Sequence, residues 1–456
     1  MSQAVVIGGG PNGLAAAIVL SDAGHDVTVF EARDEMGGRC HILGDTAGVQ
    51  PWALKALGIN LERDSAEPLH HATSGTLVTV DDAVTGVAAW RAEVARFTGL
   101  IASLSSAPPP DIRQDAPMFA LLGPAFAGLK LGRAGALELA RIGPLCAEDW
   151  LDEWGIPRSA QAALCAPALH GTWMGPRSPT SALAVLFHTA LSSQPIKGGM
   201  AALLTALTAR AQALGVTVET ASKVVDIQVT DGAVSGVSLA DGRFVESTVV
   251  LSTVGPKSTL LELVSAKSLP LGTEAFVTHV RTRGVVAVMK CQVSAPIFGG
   301  ASHVVVTDDT MSLERAFDDA KHRRLPASPA LDVYQQDGQV SVLAFGAPFD
   351  LEGGWTDEAK ATLKATLFEV LSAYIDTGLI EESTVWTPAD LSEDFGLDGG
   401  HLFHGEFALD QFLSFRPHPS LARYQTTIGG LFLGGAGMHP SGTFTLGQGV
   451  LAAQSV

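Results

Sequence analysis

An α/β fold is predicted for this chain, with one parallel sheet assembled from separated stretches of sequence and a mixed α+β cap inserted between them. Three observations predict it. Residues 4–31 read as strand, glycine turn, helix, strand and acid; residues 216–252 carry short apolar strands separated by Asp-Gly turns; residues 431–453 read as an apolar strand, a glycine-rich turn and a helix. At 456 residues the chain exceeds what one core organises, so two or three domains are expected.

Ala4-Val5-Val6-Ile7 is a continuous apolar run, as a parallel strand buried on both faces requires. Gly8, Gly10 and Gly13 follow it as G-x-G-x-x-G. The first permits a tight turn, the second lets the backbone approach a pyrophosphate, and the third allows the next helix to pack closely on the strand. Asn12 to Ala23 reads as that helix, whose free N–H groups and positive end suit phosphates. Val27 to Phe30 is the second strand, and Glu31 closes it 18 positions beyond Gly13, near the ~20-residue offset at which an acid meets a ribose hydroxyl. With all these parts in register, the stretch reads as a dinucleotide-binding unit; the alternative is the same unit kept only as scaffold, with Glu31 a solvated strand end. The residues after the acid count against that alternative. Ala32 and Arg33 lead to Gly37-Gly38-Arg39, a second place of close backbone approach, which a long cofactor running past the second strand needs and NAD does not.

Residues 31–39 resemble the E-x-R-x-x-x-G-G-R signature of FAD-containing amine oxidases and phytoene desaturases. The resemblance implies a discontinuous Rossmann-like FAD-binding domain, with Glu31 on the adenosine ribose and Gly37, Gly38 and Arg39 near the pyrophosphate and flavin. Later stretches are similar to the same family in the same order. They are Gly198-Gly199-Met200 before a helix over 201–214, then Gly215-Val216-Thr217-Val218, then a strand ending in Ser252-Thr253-Val254-Gly255-Pro256. The run from Gly399 to Gly405, with Leu409-Asp410-Gln411 and Arg416-Pro417, resembles a G-G-x-x-x-H-G…L-D-Q…R-P segment of the pyridine nucleotide-disulfide oxidoreductase domain proteins, a branch of the phytoene-desaturase-like flavoproteins. Leu431 to Thr443 resembles the segment that lies along the flavin in this family, with Ser441 and Thr443 where relatives have glycine. After Arg39 the chain departs from the pattern: residues 41–60 are short and helix-like around Trp52 to Leu57.

Composition narrows the function. The chain is 46% hydrophobic and 17% charged, with mean hydropathy +0.26, so it can bury a large interior. Its net charge of −18 argues against nucleic acid and against adhesion to anionic membranes. The longest apolar stretch, near Met118 to Leu129, is broken by Gly123 and Pro124 and falls short of the ~20 residues that span a bilayer. The first strand begins almost at Met1, which leaves no room for a secretion signal. Cys40, Cys146, Cys165 and Cys291 show no C-x-x-C spacing, so neither a redox disulfide nor a zinc site is expected, and reduced thiols in the cytoplasm are.

From Leu69 to about Gln194 the chain turns rich in Ala, Leu and Pro, and a mostly helical cap is expected. Trp150, Trp154, Trp173 and Met174 read as core ahead of pocket lining, and His70, His71, His170 and His188 as core or surface residues. Lys197 precedes a glycine turn, where exposed lysines are ordinary. Residues 224–229, 233–239 and 244–252 form a small antiparallel sheet leading back to the nucleotide unit. Residues 284–293 read as a strand and 359–374 as an amphipathic helix. His401 and His404 have a spacing open to a metal, without a third histidine or cysteine pair to complete it.

The expected FAD-binding domain comprises residues 1–68, 195–260 and 425–456, and the substrate or cap domain residues 69–194 and 261–424. Cofactor contacts are expected from Gly8, Gly10, Pro11, Asn12, Gly13, Glu31, Ala32, Arg33, Gly37, Gly38, Arg39, Val224, Gly435, Gly437, Gly442 and Thr443; Arg416 and His439 are the candidate catalytic residues, expected to tune or position. The expected reaction passes hydride from a largely apolar organic substrate to flavin N5. An amine oxidase acting on a C–N bond and a non-catalytic flavoprotein scaffold stay open beside it. No second strand-glycine-helix-acid unit follows, so NAD(P)H is expected to be a poor reductant. Oxygen or a quinone is the expected electron acceptor, and a homodimer the assembly allowed for.

Overall fold

The computed structural model of the chain describes residues 2–44, 46–65, 69–112, 131–440 and 446–456. Among them the strands, in chain order, are β1 (Gln3–Ile7), β2 (Asp26–Phe30), β3 (Leu69–Thr73), β4 (Thr76–Val80), β5 (Thr217–Glu219), β6 (Val224–Thr230), β7 (Ala233–Leu239), β8 (Phe244–Glu246), β9 (Val249–Ser252), β10 (Val286–Val293), β11 (His303–Val306), β12 (Ala330–Gln336), β13 (Gln339–Phe345), β14 (Ile380–Trp386) and β15 (Leu431–Leu433).

The apolar runs of the first, middle and last parts of the sequence meet in one parallel sheet of order β15-β9-β1-β2-β5. The α/β class expected from the sequence is the one observed. The strands are short, and β15, β9, β1 and β2 are mostly buried because helices cover both faces, while the edge strand β5 is not. Helix Pro11–Asp22 follows β1 and lies against the last helix, Gly447–Ala453. A Cβ at Gly449 would overlap the main chain of Asn12, so glycine there sets the approach of the two helices. The antiparallel sheet β6-β7-β8 hands the chain on to β9.

The second large sheet has the order β14-β10-β13-β12-β11-β3-β4, antiparallel throughout except between β11 and β3. One face packs into the main core, and helix Asp357–Ser372 covers the other with Leu363, Leu367 and Leu371. Two features depart from the sequence reading. Residues 69–80 are a hairpin turning at Ser74 and Gly75, both at positive φ, and the helices of the expected cap start at Val87. Strands β11 to β14 also complete a sheet of which only β10 was expected. Trp150 and Met174 are buried, Trp150 edge-on to Trp90 at 5.8 Å between ring centres, while Trp154 and Trp173 are partly buried. Among the described residues no helix is long and apolar enough to cross a membrane; residues 118–129 lie outside them.

Candidate active site

A cleft of about 410 Å³ opens at the carboxyl ends of β1, β2 and β9, the position at which parallel α/β sheets bind ligands. Its floor is the first glycine turn. Gly8 adopts φ +98° and its N–H donates to the Phe30 carbonyl at 2.9 Å, while Thr253 Oγ1 donates to the Ile7 carbonyl at 2.9 Å, so the turn is tied to both neighbouring strands. The glycines divide their work. A Cβ on Gly13 would overlap the Gly8 carbonyl oxygen, whereas a Cβ on Gly10 would meet nothing within 4 Å and would project into open space. Helix Pro11–Asp22 begins here with no side-chain cap and no acid in its first turn, so its positive end is left for an anion.

Glu31 is buried at the end of β2. Its carboxylate accepts from the Gly9 N–H at 2.7 Å and the Arg33 N–H at 2.9 Å. Arg33 lies 4.5 Å over the Phe395 ring and donates to the Asp394 carbonyl at 3.2 Å, closing one rim. Gly38, Arg39, Ala32, Pro11, Asn12 and Val224 also line the cleft. Arg39 is buried and stacks 4.8 Å from the Phe403 ring, and desolvation pulls its guanidinium down to about 10. Gly37 at φ +125° shapes the turn behind Gly38 without lining the cleft. Gly435 and Gly437 do not line it either; Cβ atoms there would crowd Thr253, Pro256 and the His404 carbonyl. Gly442 and Thr443 lie outside the described residues.

Several cleft residues were not among the cofactor contacts expected from the sequence: Thr253, Ser258, Glu262, the segment 392–398 and His404, the last of which was weighed only for a metal. Asp398 Oδ1 accepts from Ser258 Oγ at 2.5 Å, while Oδ2 and His404 Nδ1 have no partner and converge on the bare Cα of Gly255. Burial raises the Asp398 carboxyl above its usual range and pushes the His404 imidazole down to about 3. His401, also held near 3 by burial, uses Nδ1 to accept the N–H groups of Phe403 and Gly405. Among the described residues no cluster of three or more His, Cys, Asp or Glu is arranged to hold a metal.

Arg416 and His439 touch neither the cleft nor the cavity described below. The Arg416 guanidinium is buried and gives its hydrogens to main-chain carbonyls of Phe403, Gly405, Glu406, Gln411, Ala436 and Met438. It joins the loop below His404 to the glycine-rich stretch after β15. His439 Nε2 bonds the Leu104 carbonyl at 2.9 Å, and burial lowers its imidazole to about 4. Lys197 is exposed and pairs with Glu62 at 3.2 Å.

A larger cavity, about 860 Å³, begins where the cleft ends. The turn Gly38–His41 separates them: Gly38 and Arg39 face the cleft, Cys40 and His41 the cavity. Leu43, Met200 and Leu204 make part of its wall apolar. The opposite wall is the second sheet, where strand register sets Lys290, Ser341, Tyr334 and His303 side by side on β10, β13, β12 and β11. Lys290 Nζ donates to the His41 carbonyl at 2.8 Å. The cavity is thus apolar on one side and polar on the other, where the sequence reading expected an apolar enclosure.

Residues 6–50 match the family model of an NAD(P)-binding Rossmann-like domain. The chain is 28% identical to pyridine nucleotide-disulfide oxidoreductase domain-containing protein 2 of Mus musculus over 96% of its own length and 90% of the relative's. The Rattus norvegicus counterpart is 30% identical over 64% of this chain, a match that spans only 57% of the rat protein. The chain is also 25% identical to the lycopene-forming phytoene desaturase of Pseudescherichia vulneris, over 96% and 95% of the two lengths. Over nearly its full length the chain is thus similar both to a pyridine nucleotide-disulfide oxidoreductase domain-containing protein and to a phytoene desaturase. Wild-type putrescine oxidase bound to putrescine shares the fold, with TM-score 0.59 and 18% identity over 99% of this chain and 97% of that one. The chain is accordingly an oxidoreductase, and its relatives imply a flavin cofactor. The residues present fit one: an uncapped helix start, an open space facing Gly10, a buried acid at the end of β2 and unpartnered polar atoms on Asp398 and His404.

Proposed function

We propose that this chain binds FAD non-covalently along the cleft and oxidises an organic substrate held in the adjoining cavity. The observation that carries the reading is that the single turn Gly38–His41 borders both spaces, with Gly38 and Arg39 on the cleft and Cys40 and His41 on the cavity. Gly10, Pro11, Asn12 and Gly13 would hold the pyrophosphate against the helix start, Glu31 the adenosine ribose, Ala32 and Arg33 the adenosine rim with Val224, and Gly38 and Arg39 the approach to the flavin. Bound FAD supplies a hydride acceptor, the chemistry that cofactors of this class carry for the protein. The chain's own part is to orient a substrate carbon, exclude water and keep the polar wall of the cavity hydrogen-bonded. The mixed lining supports a substrate with a largely apolar body and one polar end. Residues 1–68, 195–260 and 425–456 would act as the cofactor-holding domain, and 69–194 and 261–424 as the cap.

The test is direct. Purified protein is expected to be yellow, to release FAD on denaturation and to be reduced anaerobically by its substrate. Glu31→Gln keeps the shape of the carboxylate and removes its charge, so FAD retention should weaken by roughly 1.5–3 kcal/mol, the worth of a charge-assisted hydrogen bond. Undiminished FAD affinity in the variant would refute the ribose role, and a tightly bound flavin inert to every substrate tried would favour the scaffold reading.

A further inference from the structure

Two buried polar atoms beside the cofactor cleft have no partner, and they face the same point. Asp398 Oδ2 and His404 Nδ1 come within 2.0 and 3.0 Å of the position that a Cβ on Gly255 would occupy. Each alone is unfavourable, because a buried polar group without a hydrogen bond has lost its water and gained nothing in return. The backbone around them is nonetheless built to keep them there. His404 is 8% exposed and sits at φ +53°, a left-handed conformation that non-glycine residues rarely adopt. Gly399 and Gly400, also at positive φ, turn the chain tightly after Asp398; Cβ atoms on them would overlap the carbonyl oxygens of Thr282 and Pro388. The other carboxylate oxygen, Oδ1, accepts from Ser258 Oγ at 2.5 Å, and both Asp398 and His404 line the cleft. One proton between Oδ2 and Nδ1 satisfies both atoms at once, as an O–H donating to a neutral imidazole. Burial keeps that imidazole neutral, down at about 3, and raises the carboxyl, so the proton sits on the carboxyl side.

We propose that Asp398 and His404 form the protonation site of the cofactor cleft, and that FAD binds together with one proton held on Asp398 between Oδ2 and His404 Nδ1. The inference rests on the proposed FAD reading of the cleft. The cofactor's diphosphate brings negative charge into a space already lined by Glu31, Glu262, Glu393 and Asp394, with Arg33, Arg39 and Lys223 opposing them. An anion placed near a carboxyl favours its neutral form. Among the described residues Asp398 is the one acid of the cleft with a buried oxygen that no donor satisfies, whereas Glu31 accepts from two main-chain N–H groups. The added charge therefore acts on Asp398 and is relieved by a proton taken from the buffer. Chain, cofactor and proton combine, and no bond within the cofactor changes. The fixed charges acting on the pair are Lys257, which opposes protonation of Asp398, and Arg39 and Arg416, which keep His404 neutral. His401, the other imidazole of this loop, is also neutral and spends its Nδ1 on the N–H groups of Phe403 and Gly405.

The experiment titrates the full chain, freed of flavin, with FAD from about pH 6 to about pH 9, by flavin fluorescence and by calorimetry in buffers of different ionisation enthalpy. Wild type is expected to take up close to one proton per FAD at the steepest point, and its affinity to fall by up to ~10-fold per pH unit as pH rises, since the complex binds the proton more tightly than the free chain. Asp398→Asn, whose amide donates to His404 Nδ1 as the protonated acid does, should bind FAD without proton uptake and without that slope. At the alkaline end it should therefore hold FAD more tightly than wild type, where a merely structural carboxylate would leave the variant weaker at every pH. Ser258→Ala removes the bond that favours the ionised carboxylate, so the break in its affinity curve should move to higher pH; should Asp398→Asn fail to fold, this shift decides alone. FAD binding without proton uptake, an uptake that persists in Asp398→Asn, or a break unmoved by Ser258→Ala would overturn the inference and leave the FAD reading standing. A full chain that binds no FAD at any pH would remove both.

Discussion

Replacing Arg416 by alanine is expected to cost about 3–5 kcal/mol of stability. Its buried guanidinium donates to six main-chain carbonyls on two segments, 403–411 and 436–438, with nitrogen–oxygen distances from 3.0 to 3.5 Å. A bond from a charged donor is worth roughly 1.5–3 kcal/mol, so six at face value would exceed the stability of most domains. Burial works against them. It lowers this guanidinium to about 9, which at about 1.4 kcal/mol per pH unit is a desolvation cost on the order of 5 kcal/mol. The balance falls in the ~3–5 kcal/mol range seen when one side of a buried charged network is removed, because truncation leaves the carbonyls buried and unpaired. At pH 7.5 the group still carries its charge, so the comparison is of the charged side chain with none. Urea unfolding of wild type, Arg416→Ala and Arg416→Lys, followed by tryptophan fluorescence, measures the difference. Lysine keeps the charge but brings three donors on one point in place of a planar fork, and should recover less than half of the loss. An alanine variant within about 0.5 kcal/mol of wild type would refute the reasoning, since six buried carbonyls would then be satisfied without the side chain.

The two turn glycines should separate folding from cofactor binding. Gly13→Ala drives a Cβ into the Gly8 carbonyl and is expected to lower stability by more than about 2 kcal/mol, whereas Gly10→Ala points into open cleft, keeps the fold within about 1 kcal/mol and loses FAD; equal FAD binding by Gly10→Ala and wild type in an equilibrium titration would contradict the assignment. Burial holds His401 and His404 near 3 and His439 near 4, below the ~6.5 of the unfolded chain. The unfolded state therefore takes up protons first, and stability should fall as pH drops below about 6.5, by about 1.4 kcal/mol per imidazole at pH 5.5. A urea midpoint that does not change between pH 7.5 and 5.5 would show that these rings are solvated. Among the described residues the parallel sheet carries one strand-glycine-helix-acid unit, so NADH and NADPH should bleach the flavin slowly at best, and rapid saturable reduction in a stopped-flow trace would sink that expectation.

The parallel sheet was legible because each of its signals is local. Ala4 to Glu31 states strand, turn, helix, strand and acid in consecutive residues, and every one of those steps is fixed by near neighbours. The cavity wall is the opposite case. Lys290, Ser341, Tyr334 and His303 become neighbours only through the register of four strands, and register is a property of pairing, not of any window of sequence. Asp332 left one trace, a carboxylate inside the apolar strand Ala330–Gln336, but nothing near it in sequence names His170 as its partner across 162 positions. Residues 69–80 misled for a related reason: two histidines interrupt the alternation that marks a strand, and the Ser74-Gly75 turn was the signal that remained. Arg416 was picked out by its motif, yet its neighbours turn out to be carbonyls and no reacting group.

Gly44 shows what such motifs omit. It belongs to none of the glycine patterns and adopts no left-handed conformation, but a Cβ there would come within 2.9 Å of Tyr334 Cβ and 3.4 Å of Ser341 Cβ. Residues 41–44, just past the cleft-lining Arg39, therefore lie flat on the polar row of the second sheet, held there also by Lys290 on the His41 carbonyl. A side chain at position 44 would push the two units apart where cleft meets cavity, altering the cavity while leaving the first glycine turn untouched. The residue that joins the two halves is thus identified by what it lacks, and that absence has meaning only once the opposing strand is in place.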